Sequence, residues 1–448
     1  MFFRQLVDDD LGCASYLVGD EGAGEAVVVD PAYAIEPYVE TARRHDLRLV
    51  AVLETHTHAD HVSGHGRLAL EHDLLVHVHP AGEPAFASVA LEPGGEVRVG
   101  DVRISVLHTP GHRPEHCCFV VTDLARAAEP WFVLTGDSLF VGDAARPDLA
   151  VGAAEGARHL FASLGTLLEL SDGVEVYPGH VSGSLCGAGM SSKASSTIGY
   201  ERRWNRATAL RDRGLEAFVT ERAATRAARP PNLERVVALN RGPFLAAPAA
   251  LERVETVEGA TVLDVRPGHD YAAGHRRGAL SVPLTTSGFA TRAGSILSSE
   301  ERIVVQAATE SEAERAAGSL RAGGFVELDG YLLGGEGPER LAPVGLEELE
   351  ELVSGGRVDV LDVREAAERD GGYIPGSRHL PYRLVRQGAA DLPRDRQVVT
   401  ICASGLRAGT AASILVAQGI DARPVLDGGI AAWQERGNRT VAFRRCGG

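Results

Sequence analysis

Lysine is almost missing: Lys193 is the only one among 45 basic residues, and the rest are arginine. We read that as a coding bias rather than a function. Clustered positive charge is missing too, within a net charge of −16. Phosphate binding needs such clusters, so no nucleic-acid partner is expected. No apolar run approaches the ~20 residues that span a bilayer, so no membrane partner is expected either. The start, Met1-Phe2-Phe3-Arg4-Gln5-Leu6, soon meets Asp8, Asp9 and Asp10. That is unlike a secretory leader, and the expected location is cytoplasmic. Six cysteines, Cys13, Cys117, Cys118, Cys186, Cys402 and Cys446, form no C-x-x-C pair and no disulfide framework. In a reducing compartment such scattered cysteines are core residues or catalytic thiols.

What is present points to an α/β chain. Its 448 residues suggest about three domains at ~150 residues each. Up to about residue 240, strand-like runs such as Ala26-Val27-Val28-Val29-Asp30, Leu49-Val50-Ala51-Val52-Leu53, Val102 to Leu107 and Trp131 to Leu134 end in polar or glycine-rich turns. Helical patterns lie between them, at Ile35 to His45 and Gly156 to Ser171. The second half repeats itself. Leu263-Asp264-Val265-Arg266 recurs as Leu361-Asp362-Val363-Arg364, and Asp329-Gly330 as Asp427-Gly428. A period near 100 residues means two copies of a domain, not a solenoid. The expected domains are 1–240, 250–340 and 345–440. The expected linkers are Arg229-Pro230-Pro231 through Pro243, and Gly334-Gly335-Glu336-Gly337-Pro338.

The first domain holds metal-type chemistry. Thr55-His56-Thr57-His58-Ala59-Asp60-His61 follows a strand. Later come Pro110-Gly111-His112, Gly136-Asp137 and Pro178-Gly179-His180. Imidazole and carboxylate suit zinc or iron, and loops at strand ends can bring them to one ion. The H-x-H-x-D-H pattern and its followers resemble the metallo-β-lactamase superfamily over about the first 200 residues. That resemblance implies an αββα sandwich with the metal at one edge.

All seven ligand positions of a dinuclear hydrolase are present: His56, His58, Asp60, His61, His112, Asp137 and His180. Ligand counting therefore leaves open a two-zinc enzyme whose bridging hydroxide attacks an ester or amide. Other segments, Thr109 to His116, Leu139 to Asp143 with Ala145 to Leu149, and Ser196 to Arg203, resemble persulfide dioxygenases fused to rhodanese. That resemblance implies one Fe(II) per chain on His56, His112 and Asp137, with zinc as the alternative. Two imidazoles and one carboxylate make a facial triad with open positions for O₂ and a persulfide sulfur. His58, Asp60, His61 and His180 would then orient ligands, or be retained from a dinuclear ancestor. Arg146 and Tyr200 are candidates for gripping a thiol carrier, or surface and packing residues. Cys186, in Gly183-Ser184-Leu185-Cys186-Gly187, is a candidate sulfur relay or a buried thiol. Cys117 and Cys118 read as strand and core, and Cys446 lies just before Gly447-Gly448.

In the last domain Val398-Val399-Thr400-Ile401 runs into Cys402-Ala403-Ser404-Gly405-Leu406-Arg407-Ala408 and a helix. Loop N–H groups and a helix N-terminus favour a thiolate and a bound anion there, and Arg407 can bind an oxyanion. The segment resembles the rhodanese active loop, and Gly428-Gly429-Ile430-Ala431-Ala432-Trp433 resembles the family's closing motif. Asp362 and Arg364 are expected to brace the loop. The first copy has Ala307 where the nucleophile belongs and Glu312 where the arginine belongs, so it is expected to be inactive. The expected fold is an αββα metallo-β-lactamase sandwich followed by two α/β rhodanese-like domains. The expected activity is iron-dependent oxidation of a small persulfide by O₂ to sulfite, joined to sulfur transfer through Cys402 that forms or consumes thiosulfate. The alternatives are a zinc thioester hydrolase of the glyoxalase II type and a non-enzymatic sensor or scaffold. A homodimer or homotetramer is the expected assembly.

Overall fold

Alternation along the valine-rich strands builds the first layers. In Glu25–Val29, Val27 and Val29 enter one apolar layer while Val28 enters another, as the two-residue period of a strand requires. The computed structural model describes residues 1–181, 190–224, 228–335 and 337–442. The chain divides into two units, Met1–Pro248 with Arg321–Gly324, and Ala249–Leu320 with Phe325–Gly448.

Among the described residues the first unit has two six-stranded sheets. One runs in chain order through Phe2–Val7, Ala14–Asp20, Glu25–Val29, Arg48–Leu53, Leu75–Val78 and Val89–Ala90. The other runs Ser196–Thr197, Glu175–Pro178, Phe132–Gly136, Cys117–Asp123, Val102–His108, Glu96–Val99. Tyr16, Val18 and Val29 from the first sheet share a core with Ile104, Phe119 and Leu134 from the second. The outer faces are covered by helices. Glu36–Arg44 contributes Tyr38 and Ala42 to one. Ala153–Leu167 contributes Leu160, Leu164 and Leu167 to the other, on the three-to-four spacing of a helix stripe. This is the expected αββα layering.

The segment expected to link the units differs. Arg229-Pro230-Pro231 is followed by the helix Leu233–Arg241, which buries Val236 and Asn240 and belongs to the first unit. The prolines mark where that helix can begin, not a free connection.

Among its described residues the second unit holds two four-stranded parallel sheets of the same order. They run Leu280–Ser281, Thr261–Asp264, Ile303–Ala307, Gly330–Leu333, and Arg378–His379, Val358–Asp362, Gln397–Ile401, Ala422–Pro424. Central strands such as Ile303–Ala307 are buried throughout, as parallel sheets covered on both faces require. One core joins the halves through Val305, Phe289, Leu361 and Ile414. Ser281 N–H donates to Ser413 Oγ at 2.9 Å, and Arg386 pairs with Glu301 at 2.6 and 2.7 Å. The repeat extends to side chains. Arg266 pairs with Asp264 and donates to the Gly274 carbonyl, as Arg364 does with Asp362 and Gly372. No helix among the described residues is long and apolar enough to cross a membrane.

Candidate metal centre and sulfur-transfer loop

Four strands of the first unit deliver the metal-type residues. Arg48–Leu53 runs into the loop of His56, His58, Asp60 and His61, and Val102–His108 leads toward His112. Phe132–Gly136 ends at Asp137, and Glu175–Pro178 leads to His180. The turn into Asp137 needs glycine. Gly136 has φ 45°, and a Cβ there would lie 2.6 Å from Thr55 Oγ1 and 2.7 Å from His116 Nε2.

His56, His112 and Asp137 are buried, with ligand atoms within 4.8 Å of one another. Their orientations are fixed by neighbours. Thr55 Oγ1 gives its proton to Asp30 Oδ2 at 2.7 Å, so it accepts from His56 Nδ1–H at 2.9 Å. His112 Nδ1–H donates to the Arg146 carbonyl at 3.1 Å. Both imidazoles therefore keep Nε2 unprotonated, and burial holds both below the ordinary histidine range. Asp137 Oδ1 accepts from His180 Nδ1–H at 2.7 Å. Asp137 Oδ2 is buried with no hydrogen-bond partner among the described residues, 3.6 Å from His112 Nε2. An orphaned carboxylate oxygen is costly, and a cation among these three groups removes that cost. Two imidazoles and a carboxylate fit iron or zinc.

The other four candidates surround this trio. His180 spans two carboxylates, Asp137 and Asp60, and its Nε2 donates to Asp60 Oδ2 at 2.8 Å. Burial opposes charge on His180, but Asp137 and Asp60 outweigh it and raise the imidazole to about 10. Asp60 Oδ1 also accepts from His61 Nδ1–H at 3.1 Å. His58 Nε2–H reaches Glu54 Oε2 at 3.1 Å, with Asp30 Oδ1 at 3.4 Å. His58 Nδ1 and His61 Nε2 are buried without hydrogen-bond partners among the described residues, and His58, Asp60 and His61 form a second group of possible ligands. A small pocket opens on His56 and His58, walled by Val78, Pro84, Phe86 and Arg241.

The candidate carrier contacts lie elsewhere. Arg146 commits its guanidinium to Asp148, at 2.7 and 2.8 Å, and to the Ala228 carbonyl. Its backbone carbonyl is what touches the site, through His112. Tyr200 is 55% exposed and lines a separate cavity with Lys193 and Trp204, whose lining includes none of the metal-type residues. Cys186 and Cys446 lie outside the described residues. Cys117 and Cys118 are fully buried strand residues.

In the second unit the strand Gln397–Ile401 ends at buried Cys402, and the helix Leu406–Ala417 follows. Ala403, Ser404 and Gly405 form the turn, with Leu406, Arg407 and Ala408 opening the helix. Gly405 N–H donates to Cys402 Sγ at 3.1 Å. Gly405 has φ 100°, and a Cβ there would sit 1.9 Å from the Leu426 carbonyl oxygen. Arg407 pairs with Glu368 through both terminal nitrogens, each at 2.7 Å. Arg364 pairs with Asp362 and donates to the Glu368 and Gly372 carbonyls. The Asp362–Arg364 pair thus braces the segment that carries Glu368, not the loop itself as expected, because Arg364 reaches forward along its own chain to Glu368 and Gly372. In the first copy Ala307 is buried at the nucleophile's position, and Glu312 lies at the helix start.

The Metallo-beta-lactamase superfamily model matches residues 8–180. An uncharacterized protein of Mycobacterium leprae is 32% identical over 222 residues, covering 44% of this chain and 93% of its own. The chain belongs to the metallo-beta-lactamase superfamily. The Rhodanese-like domain model matches residues 345–436, so the superfamily domain is followed by a rhodanese-like one. "Hydroxyacylglutathione hydrolase cytoplasmic" of Arabidopsis thaliana is 34% identical over 169 residues, 37% of this chain and 62% of that protein. "Persulfide dioxygenase ETHE1, mitochondrial" of Homo sapiens is 29% identical over 181 residues, 40% of this chain and 68% of that protein. A solved metallo-beta-lactamase from Staphylococcus aureus subsp. aureus COL superposes with TM-score 0.68 at 29% identity, over 74% of this chain and 98% of its own.

Within the metallo-beta-lactamase domain the sequence reading missed several supporting groups. Asp30 closes a strand, at φ 48°, and holds Thr55 through its backbone and side chain. Glu54 receives His58, His65 and Ser63. Asn240 accepts from Ser63 N–H and donates to the His58 and His61 carbonyls. His116, buried against His56, is pushed down to about 3, by burial first and then by His112. Spacing offered a signal for Glu54 and His116, which flank recognised motifs. Asn240, far along the chain, offered none.

Proposed function

We propose that this chain oxidises a low-molecular-weight persulfide with O₂ and handles sulfane sulfur at Cys402. One persulfide, one O₂ and one water give the thiol, sulfite and two protons, with four electrons passing to O₂. An Fe(II) held by His56, His112 and Asp137 would supply the redox chemistry that O₂ requires. The chain's own groups prepare the site. Asp30 and Thr55 fix the His56 tautomer, the Arg146 carbonyl fixes that of His112, and His180 fixes Asp137. In the second step the Cys402 thiolate attacks the outer sulfur of thiosulfate. The S–S bond breaks, sulfite leaves with the electron pair, and Cys402 holds a persulfide. The reverse joins that sulfur to sulfite.

The observation that carries this reading is the trio of His56, His112 and Asp137, with both ring nitrogens of His180 committed to carboxylates. That arrangement supports one ion with three protein ligands. The relative named as a persulfide dioxygenase and the rhodanese-like domain in the same chain support sulfur chemistry at both ends.

The test is O₂ uptake by anaerobically iron-loaded protein given glutathione persulfide. Uptake matched by sulfite or thiosulfate is the expected result. No uptake at verified iron occupancy, with coenzyme A persulfide also inactive, would overturn the reading. A second reading, a dinuclear zinc thioester hydrolase, is favoured by the unpartnered His58 Nδ1 and His61 Nε2 and by the hydrolase relative. It requires two zinc ions per chain and thioester cleavage.

A further inference from the structure

Arg407 stands at the end of the Cys402 loop, but its two terminal nitrogens are already occupied. Nη1 donates to Glu368 Oε2 and Nη2 to Oε1, both at 2.7 Å. The carboxylate is placed in advance. Glu368 Oε2 also accepts Glu365 N–H at 3.0 Å, within a reciprocal capping box at the start of the helix Ala366–Asp370. Arg364 holds the Glu368 carbonyl, and Arg383 holds the Glu365 carboxylate. Glu368 is therefore fixed from its own helix and does not depend on Arg407 to stay in place.

The pair is also open enough to exchange. The Arg407 and Glu368 side chains are 22% and 37% exposed. Ion pairs at such positions shift an equilibrium by about fivefold or less, so an arriving oxyanion can displace the carboxylate. The first copy provides a contrast. By the repeat its counterparts are Asp270 and Glu312, two acids that cannot pair, and it has no thiol. The ion pair occurs where the nucleophile occurs.

We propose that Glu368 is a built-in counter-ion that competes with the sulfur donor's oxyanion for Arg407, and so sets how tightly the Cys402 loop holds anions. A loop with an unopposed arginine would bind thiosulfate and sulfite more firmly and release the product sulfite more slowly. The proposal rests on Cys402 being the sulfur-transfer thiol, but its test does not depend on turnover.

The test uses the full chain and two alkylating probes of similar size, anionic iodoacetate and neutral iodoacetamide. Modification of the Cys402 peptide is followed by mass spectrometry, and the ratio of the two rates reports the charge felt by an anion at the loop. Glu368→Gln keeps the shape and an acceptor while removing the charge. It is expected to raise the ratio about two- to fivefold, and to leave it unchanged in an Arg407→Ala background. Glu368→Asp, which keeps the charge, is expected to stay near wild type. An unchanged or lower ratio in Glu368→Gln, an equal rise without Arg407, or an equal rise in Glu368→Asp would overturn the proposal. Sulfur transfer from thiosulfate to cyanide by the wild type is measured alongside. Its absence with the expected ratios strikes the sulfur-transfer reading and leaves the counter-ion standing. Its presence with a flat ratio strikes the counter-ion alone.

Discussion

Glu312 accepts the backbone N–H of Ala308 at 3.1 Å through Oε2. A negative charge thus sits on the loop where the second copy places Cys402 and Arg407. Its own N–H donates to Thr309 Oγ1 at 3.2 Å, so the loop is closed on itself as a helix cap. A thiol alone should not restore chemistry here. We expect Ala307→Cys in a Cys402→Ala background to show no sulfur transfer from thiosulfate to cyanide. Transfer above the Cys402→Ala background would mean that the Glu312 carboxylate does not keep anions out.

Asn240 holds the motif loop by three hydrogen bonds, from Ser63 N–H at 2.8 Å and to the His58 and His61 carbonyls at 3.0 and 2.8 Å. All three backbone groups lose their partner in Asn240→Ala. The expected loss is about 1–3 kcal/mol, measured by denaturant unfolding, with lower metal content in the purified protein. Asn240→Asp replaces the amide donor with a carboxylate facing two carbonyls. It should be at least as damaging as alanine, and a neutral Asn240→Asp would show that the contacts do not hold the loop.

The difference between Asn240 and His56 shows what the sequence could reveal. His56, His112 and Asp137 follow strands at short offsets, so the local pattern already marked them among seven candidate ligands, and the family resemblance singled out the three. The strands themselves were legible because valine runs such as Val27-Val28-Val29 end at turns. Cys402 was legible for the same reason, as a thiol between a buried strand and a helix. Asn240 and Glu368 were not, because their partners lie far away in sequence and nothing in their neighbours marks them. Arg146 was read two ways, as a carrier contact or a packing residue, for a related reason. An arginine near a motif suggests an anion clamp, but Asp148 two residues on takes the guanidinium. Its carbonyl, which every residue has, is the group that accepts from His112. Tyr200 sits on a helix whose direction local pattern could not fix.

The thiols beside the metal layer should be inert. Burial first, then the nearby Glu115 carboxylate, pushes Cys117 from 9.0 up to about 12. At pH 8 that leaves about a thousandfold less thiolate than an ordinary thiol. The folded state thus holds its proton to higher pH than the unfolded chain. The resulting stability is complete below pH 9.0 and is lost as pH rises toward about 12. Iodoacetamide at pH 8 is expected to label Cys117 only after denaturation. Rapid labelling of the native protein would contradict a buried, protonated thiol.

Thr55 links Asp30 to His56 at the candidate metal centre. Its hydroxyl donates to Asp30 and accepts from His56, and its backbone N–H donates to Asp30 Oδ1 at 2.7 Å. Thr55→Val keeps the shape and the backbone bond but strands Asp30 Oδ2 and His56 Nδ1, so the ring loses the contact that selects its tautomer. Partners of this kind are worth about 10–100-fold in metal affinity, and a chelator competition titration should find a loss of that size. Thr55→Ser keeps the hydroxyl and should bind metal nearly as well as wild type. If Thr55→Val binds metal as tightly as wild type, Asp30 and Thr55 do not orient His56, and the ligand geometry must be held by the loop backbone alone.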